Sequence, residues 1–270
     1  MFETLRQIIS AQWERRSQIL NLAKFELRKK FRGTALGPVW LFAGKLVYIA
    51  VFWFALEIGL RGSRDVGGDA PYILWLTAGL VPWFYMSDMI NGGINVFRKF
   101  KYLVSKIKFP LPAIPTIYSS ASMFIHLCFV GGLLVLYFAS GQPLSVYLLQ
   151  LPFAIVLMSV FFYMYSLTMS CLSTISRDFH NFMSTLSTPM FWVSGIIFNV
   201  FGLGISWLET LLMFNPITFV VTFYRAIFFD QIWIWEKPMA LVGFGVVFLV
   251  MALLMIVVYR RTHEEVHDVI

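Results

Sequence analysis

The sequence predicts an all-α integral membrane protein with six transmembrane helices, an N-terminal amphipathic interfacial helix and a re-entrant helical hairpin before the last span. The prediction rests on composition, run length and the placement of charge. Of the 270 residues, 59% are hydrophobic and only 13% charged, with a mean hydropathy of +0.76. Soluble domains are about 45–50% apolar and about 25% charged. The apolar residues gather in runs long enough to cross a hydrocarbon core of roughly 30 Å as helices. The net charge of +7 would suggest nucleic acid in a soluble protein, but here the charges flank the apolar runs, which is the pattern of membrane orientation.

Residues 1–33 form the first unit. Apolar side chains at Leu5, Ile8, Ile9, Trp13, Ile19, Leu20, Ala23, Leu27 and Phe31 return to one helical face, with Arg15, Arg16, Lys24, Arg28, Lys29 and Lys30 between them. That spacing predicts an amphipathic helix in the headgroup layer; the alternative is a short helix of a soluble bundle. Met1–Arg32 carries eight Lys or Arg and no apolar core before Leu36, so no cleavable leader is expected.

The transmembrane domain, 34–260, is read as spans 35–60, 71–97, 110–139, 145–173, 182–200 and 238–259, with a tail at 261–270. Arg61–Asp69 is a polar turn cluster, Arg98–Lys108 a short basic loop, and Ser176–His180 a short polar connection. Residues 203–229 hold two apolar stretches split by Asn215-Pro216, each too short to span. With both termini inside, sixteen Lys or Arg flank the inner face and four the outer. Counting 203–229 as a span would place Arg260 and Arg261 outside, against the positive-inside bias. The segment therefore reads as a hairpin entered from outside, its non-helical backbone sheltered by protein or lining a wet cavity.

Two motifs mislead. Gly44-Lys45 lacks the first Gly and the Ser or Thr of a phosphate loop and lies within a span. His263-Glu-Glu-Val-His267 has the zinc-helix spacing, but sits at the chain's end without a nearby third ligand. No catalytic or metal site is expected. Cys128 and Cys171 fall on successive antiparallel spans at different depths and read as packing residues. Lys45, Glu57 and Asp88 are ionisable residues inside spans, functional by default in a membrane. Lys45 and Asp88 sit at matching depths of neighbouring spans and could pair, either structurally or within a transport path. Most Trp and Tyr lie near span ends as interfacial anchors. Phe191, Trp192 and Phe198 could line a pathway for a sugar chain, although apolar packing explains them equally well.

Several stretches together resemble the membrane subunits of type-2 ABC exporters for polysaccharides, the wall teichoic acid permeases among them. They are Arg32-Gly-Thr-Ala-Leu-Gly-Pro-Val-Trp40, Pro71–Phe84, Lys106-Ile-Lys-Phe-Pro110 with Pro115, Arg177-Asp178, and Asn215-Pro216 followed by Tyr224-Arg225. Ser194-Gly195 departs from the Ser-Pro of many relatives, which leaves the end of the fifth span open. The resemblance implies a homodimeric pathway of two copies with two ATP-binding subunits docked on the cytoplasmic side. ATP and Mg would belong to those partners, with no cofactor in this chain. Arg98, Lys99, Lys101, Tyr102, Arg177 and Asp178 would receive the ATPase motion; Asn215, Pro216, Tyr224 and Arg225 would form the outer gate. The cargo would be a polyprenyl-diphosphate-linked polymer, wall teichoic acid foremost, with O-antigen, capsule or another polysaccharide as the alternative. Membrane lipid, not nucleic acid, would be the surrounding partner of a protein in the cytoplasmic membrane. An ion-coupled transporter would need buried carboxylates organised at the midplane. A membrane transferase would need clustered acidic metal ligands, and a drug or lipid exporter is separated only by the resemblance.

Overall fold

The computed structural model describes residues 2–59, 71–107, 109–200 and 204–269. The Arg61–Asp69 turn cluster, Lys108 and Leu203, the first residue of the expected hairpin, lie outside them. In chain order the helices are α1 (Phe2–Glu14), α2 (Arg16–Lys29), α3 (Trp40–Trp53), α4 (Tyr72–Asn91), α5 (Val96–Lys99), α6 (Lys101–Ile107), α7 (Ala113–Ala139), α8 (Leu151–Ile175), α9 (Arg177–Val193), α10 (Ser206–Met213), α11 (Pro216–Arg225) and α12 (Pro238–Val269). A 3-10 turn at Gly37–Val39 leads into α3, and a π-helical turn at Phe54–Gly59 ends it.

Five helical segments are long and apolar enough to cross a membrane: Gly37–Gly59, Tyr72–Ile107, Ala113–Ala139, Val146–Ile175 and Pro238–Val266. The pair α10–α11, bent by 95° at the Asn215-Pro216 break, makes a sixth only if taken as one broken span. Asn215 caps α11, its side-chain oxygen accepting from the Ile217 amide at 2.9 Å, and Pro216 occupies the first helical position, where its missing N–H costs nothing. The chain is thus a multi-pass membrane protein, nearly all helical and without strands among the described residues.

Several boundaries differ from the sequence reading. The expected fifth span, 182–200, is a 17-residue helix that begins at Arg177 and ends at Val193. Ser176 caps its start, accepting from the Phe179 amide at 3.2 Å. Gly195, at φ 70°, turns the chain after its end. At 1.5 Å per residue this helix is about 26 Å long. The basic segment after Arg98 is not a loop. No Gly or Pro falls between Lys99 and Ile107, so the chain stays helical through α5 and α6, breaking only at Phe100 (φ −105°, ψ 27°). The N-terminal helix is two helices, parted at Arg15 (φ −103°, ψ 11°). The tail continues α12 without a break to Val269.

α4 is the centre of the bundle. It is buried continuously from Leu74 to Met86, and packs against α3, α7, α8, α9 and α11. Lipid tails are as apolar as Leu, so helices here associate through close packing and interhelical hydrogen bonds. Ser166 on α8 donates to the Gly93 carbonyl at 2.9 Å, Ser173 to that of Ile94, and the Tyr85 and Ser119 hydroxyls meet at 2.8 Å. The Gln12 amide of α1 donates to the Pro112 carbonyl and the Tyr163 hydroxyl and accepts from Thr116, tying the N-terminus to α7 and α8. By contrast, no residue of α3 is buried.

Candidate functional site

α3 and α4 run antiparallel, and the geometry brings Lys45 Nζ to 3.1 Å from Asp88 Oδ2. The same ammonium lies over the Phe84 and Phe129 rings, 5.4 and 6.0 Å from their centroids. Lys45 opens on a cleft of about 360 Å³ between α3, α4 and α9, walled by Tyr48, Trp83, Phe84, Phe191 and Trp192 and edged by Ser87, Ser187 and Thr188. Phe191 is buried and holds the wall together, its ring 5.4–5.9 Å from those of Trp83, Tyr48 and Phe52. Trp192 faces outward, 54% exposed. Phe198 sits in the turn after α9 and does not line the cleft. Glu57, in the π turn, stands about 18 Å along the helix from Lys45. Its Oε2 is buried without a hydrogen-bond partner among the described residues. The cleft thus presents one cation, itself paired to Asp88, with four hydroxyls and several aromatic faces inside an apolar bundle.

At the other end of α4 the hairpin is seated on polar contacts. Asn215 Nδ2 donates to Ser194 Oγ at 2.9 Å, and Thr218 donates to the Ser194 carbonyl at 3.1 Å. Tyr224 is fully buried, with its hydroxyl 2.8 Å from His126 Nε2. Arg225 is buried and donates to the carbonyls of Gly195 at 2.7 Å and Ile196 at 2.5 Å, while its guanidinium stacks 3.3 Å from the Trp75 ring centroid. Close approach of α4 makes this seat possible: a Cβ on Gly79 would lie 2.8 Å from Arg225 Nη2 and 2.9 Å from the Ile196 oxygen. A cavity of about 330 Å³ opens beside Arg225, bordered by Trp75, Ser194, Thr218 and the start of α12. The Asp230–Lys237 ion pair, 2.8 Å, stands at its edge.

The basic end is divided between side chains that contact the bundle and side chains that make no such contact among the described residues. Arg98 donates to the Ser173 carbonyl, and Lys99 pairs with buried Glu26 of α2 while lying 4.6 Å from the Tyr118 ring centroid. Lys101 and Tyr102 are exposed, as are Arg177 and Asp178 in the first turn of α9. Asp178 there faces the positive end of the helix dipole. Sequence reasoning missed Glu26, Gly79 and His126. Glu26 is the lone acid between Arg15 and Arg32, and His126 the lone histidine of its span; each had that signal, but the partners lie far along the chain. Among the described residues, no group of three or more His, Cys, Asp or Glu is placed to hold a metal. His263 lies on α12, its Nδ1 3.0 Å from the Tyr259 carbonyl.

A sequence model of the family described as "ABC-2 type transporter" matches residues 17–229, which takes in α2, the cleft and the hairpin. The chain belongs to the ABC-2 type transporter family. It is a membrane subunit of transport rather than a catalytic chain. Among its relatives, the O-antigen export system permease protein RfbA of Myxococcus xanthus is 22% identical over 226 residues, covering 83% of this chain and 85% of the relative. A protein of the same name from Klebsiella pneumoniae is 22% identical over 231 residues, 84% of this chain and 86% of that one.

Proposed function

We propose that this ABC-2 permease exports a polysaccharide carried on polyprenyl diphosphate, as a dimer of two copies powered by two separate ATP-binding subunits. The observation that carries the reading is the α3–α4–α9 cleft. A lipid-linked glycan brings an anionic headgroup, hydroxyl-rich sugars and an apolar tail. The cleft offers the Lys45 ammonium for the first, hydroxyls and aromatic faces for the second, and an opening along the unburied face of α3 for the third. Its chemistry does not fit ion coupling, which needs carboxylates gathered at one depth; Asp88 is already paired and Glu57 is remote. Arg225 and Asn215 would hold the hairpin as an outer gate. The exposed set Lys101, Tyr102, Arg177 and Asp178 would receive the ATPase, which binds ATP and Mg.

The relatives' names favour O-antigen-type glycans, whereas the sequence stretches resemble teichoic acid permeases; both cargoes share the polyprenyl diphosphate carrier. The test is conditional depletion of this chain in its own host. Lipid-linked polymer should accumulate on the cytoplasmic side, and its composition names the cargo: glycerol or ribitol phosphate for teichoic acid, sugars alone for an O-antigen type. Unchanged surface polymer and no trapped intermediate would overturn the proposal.

A further inference from the structure

An apolar groove of about 510 Å³ runs between α2, the start of α3 and α7, on the α7 side of α3 and sharing no residue with the α3–α4–α9 cleft. Leu27, Leu41, Phe42, Ala121 and Phe124 form its walls, and Lys24 and Arg28 stand at its α2 edge. Arg28 and Phe31 also line a second cavity of about 460 Å³, whose other residues are Phe25, Lys29 and Arg32. One continuous surface therefore passes from a basic mouth into an apolar channel. Among the described residues, no acid borders either cavity. The nearest acid in sequence, Glu26, is turned inward and committed to Lys99. Leu20 and Phe25 beside the mouth are 56% and 55% exposed, as befits a helix bathed in lipid rather than water.

We infer that this groove binds one anionic phospholipid, its phosphate on Lys24 and Arg28 and an acyl chain between α2, α3 and α7. Charge complementarity selects the headgroup, because four exposed cations meet no counter-charge among the described residues. The gradient selects an amphiphile over a protein partner: a cytosolic protein would meet the basic mouth but could not follow the channel down to Phe42, whose ring packs 5.7 Å from that of Phe129 in the span. Bound there, the lipid fastens α2 to α3 and α7 and completes a surface that the chain leaves open.

The test uses the full chain purified in detergent, stripped of lipid, then offered dioleoyl phosphatidylglycerol or dioleoyl phosphatidylcholine. Bound lipid is counted by native mass spectrometry and the melting temperature is followed. Wild type should retain one phosphatidylglycerol in preference to phosphatidylcholine and melt higher with it. Free glycerol phosphate should do neither. Lys24→Gln with Arg28→Gln changes only exposed side chains and should weaken retention roughly 30-fold, since each basic residue near an anionic surface contributes about fivefold. Ser120→Trp, which fills the groove from a half-buried position, should remove the lipid while leaving the basic mouth intact. If Ser120→Trp does not fold, the double glutamine variant decides. Equal retention of the two lipids, retention unchanged in the glutamine variant, or a polyprenyl diphosphate displacing the phosphatidylglycerol one for one would overturn the assignment.

Discussion

At the level of single residues, the pair Lys45–Asp88 and the glycine at 79 set the sharpest tests. Removing one member of a buried ion pair strands the other, at about 3–5 kcal/mol when burial is complete. The two side chains retain 22% and 27% exposure, so Asp88→Asn should cost less than that range. Lys45→Met added to Asp88→Asn should restore part of the loss. Thermal unfolding of the four proteins in detergent forms the cycle; strictly additive effects would show that the two groups are neighbours without coupling. Gly79→Ala pushes a methyl group into the Arg225 guanidinium and the Ile196 carbonyl, both under 3.0 Å from the added carbon. Neither can retreat freely, because Arg225 is held by Gly195, Ile196 and Trp75. The variant should lose about 1–3 kcal/mol, the cost of overpacking, and its hairpin should become more open to proteolysis. An unchanged melting temperature and proteolytic pattern would mean that the hairpin is not locked by this contact.

Among the elements, α5 and α6 divide one run of charge into two roles. Arg98 and Lys99 bind α8 and α2, so reversing both to Glu should destabilise the bundle by breaking the Ser173 and Glu26 contacts. Lys101, Tyr102 and Arg177 are exposed, so Lys101→Glu, Tyr102→Ala and Arg177→Glu together should leave the melting temperature within about 1 °C while lowering recovery of a co-expressed ATP-binding subunit. Full recovery of that subunit with the triple variant would assign these charges to membrane orientation alone. The sequence could not separate the two groups, because a run of Lys and Arg beside a span signals orientation whether or not its members turn inward. The spans themselves were legible wherever an apolar run ended at Gly, Pro or a charge, as at Pro71, Ser140-Gly141 and Pro238. The Asn215-Pro216 break was legible for the same reason, since proline cannot continue the preceding helix. The start of α9 was not, because a single extended residue, Ser176 (φ −119°, ψ 119°), separates it from α8. The seating of α1 was also hidden: Gln12 meets Thr116 across 104 residues, a contact no local period records.

For the whole molecule, the decisive property is which side each end faces. Sixteen Lys or Arg flank one proposed face and four the other, and, with α9 as a crossing, we propose that the hairpin re-enters, which keeps this asymmetry. α10 and α11 meet at a 95° bend, the geometry of either a broken span or a re-entrant loop, and α11 is buried in the bundle from Ile217 to Arg225. If α10 and α11 instead formed a crossing, α12 would run in the opposite sense and carry Arg260 and Arg261 to the outer surface. Cysteine labelling in intact cells separates the two arrangements, in a chain with Cys128 and Cys171 replaced by Ala. Ser63→Cys, in the segment outside the described residues, should react with a membrane-impermeant maleimide. Ser105→Cys, on exposed α6, should react only after the membrane is opened. Neither of these reports on the hairpin, because both precede it. Val269→Cys does: it is 58% exposed at the end of α12, and α7, α8, α9, the hairpin and α12 separate it from Ser105. With α9 crossing, a re-entrant hairpin makes it share the protection of Ser105→Cys, and a further crossing at α10–α11 makes it react alongside Ser63→Cys. Labelling of Val269→Cys in intact cells would therefore overturn the topology of six spans with a re-entrant hairpin even if the other two positions behave as expected, since an odd number of crossings would then separate α6 from the end of the chain.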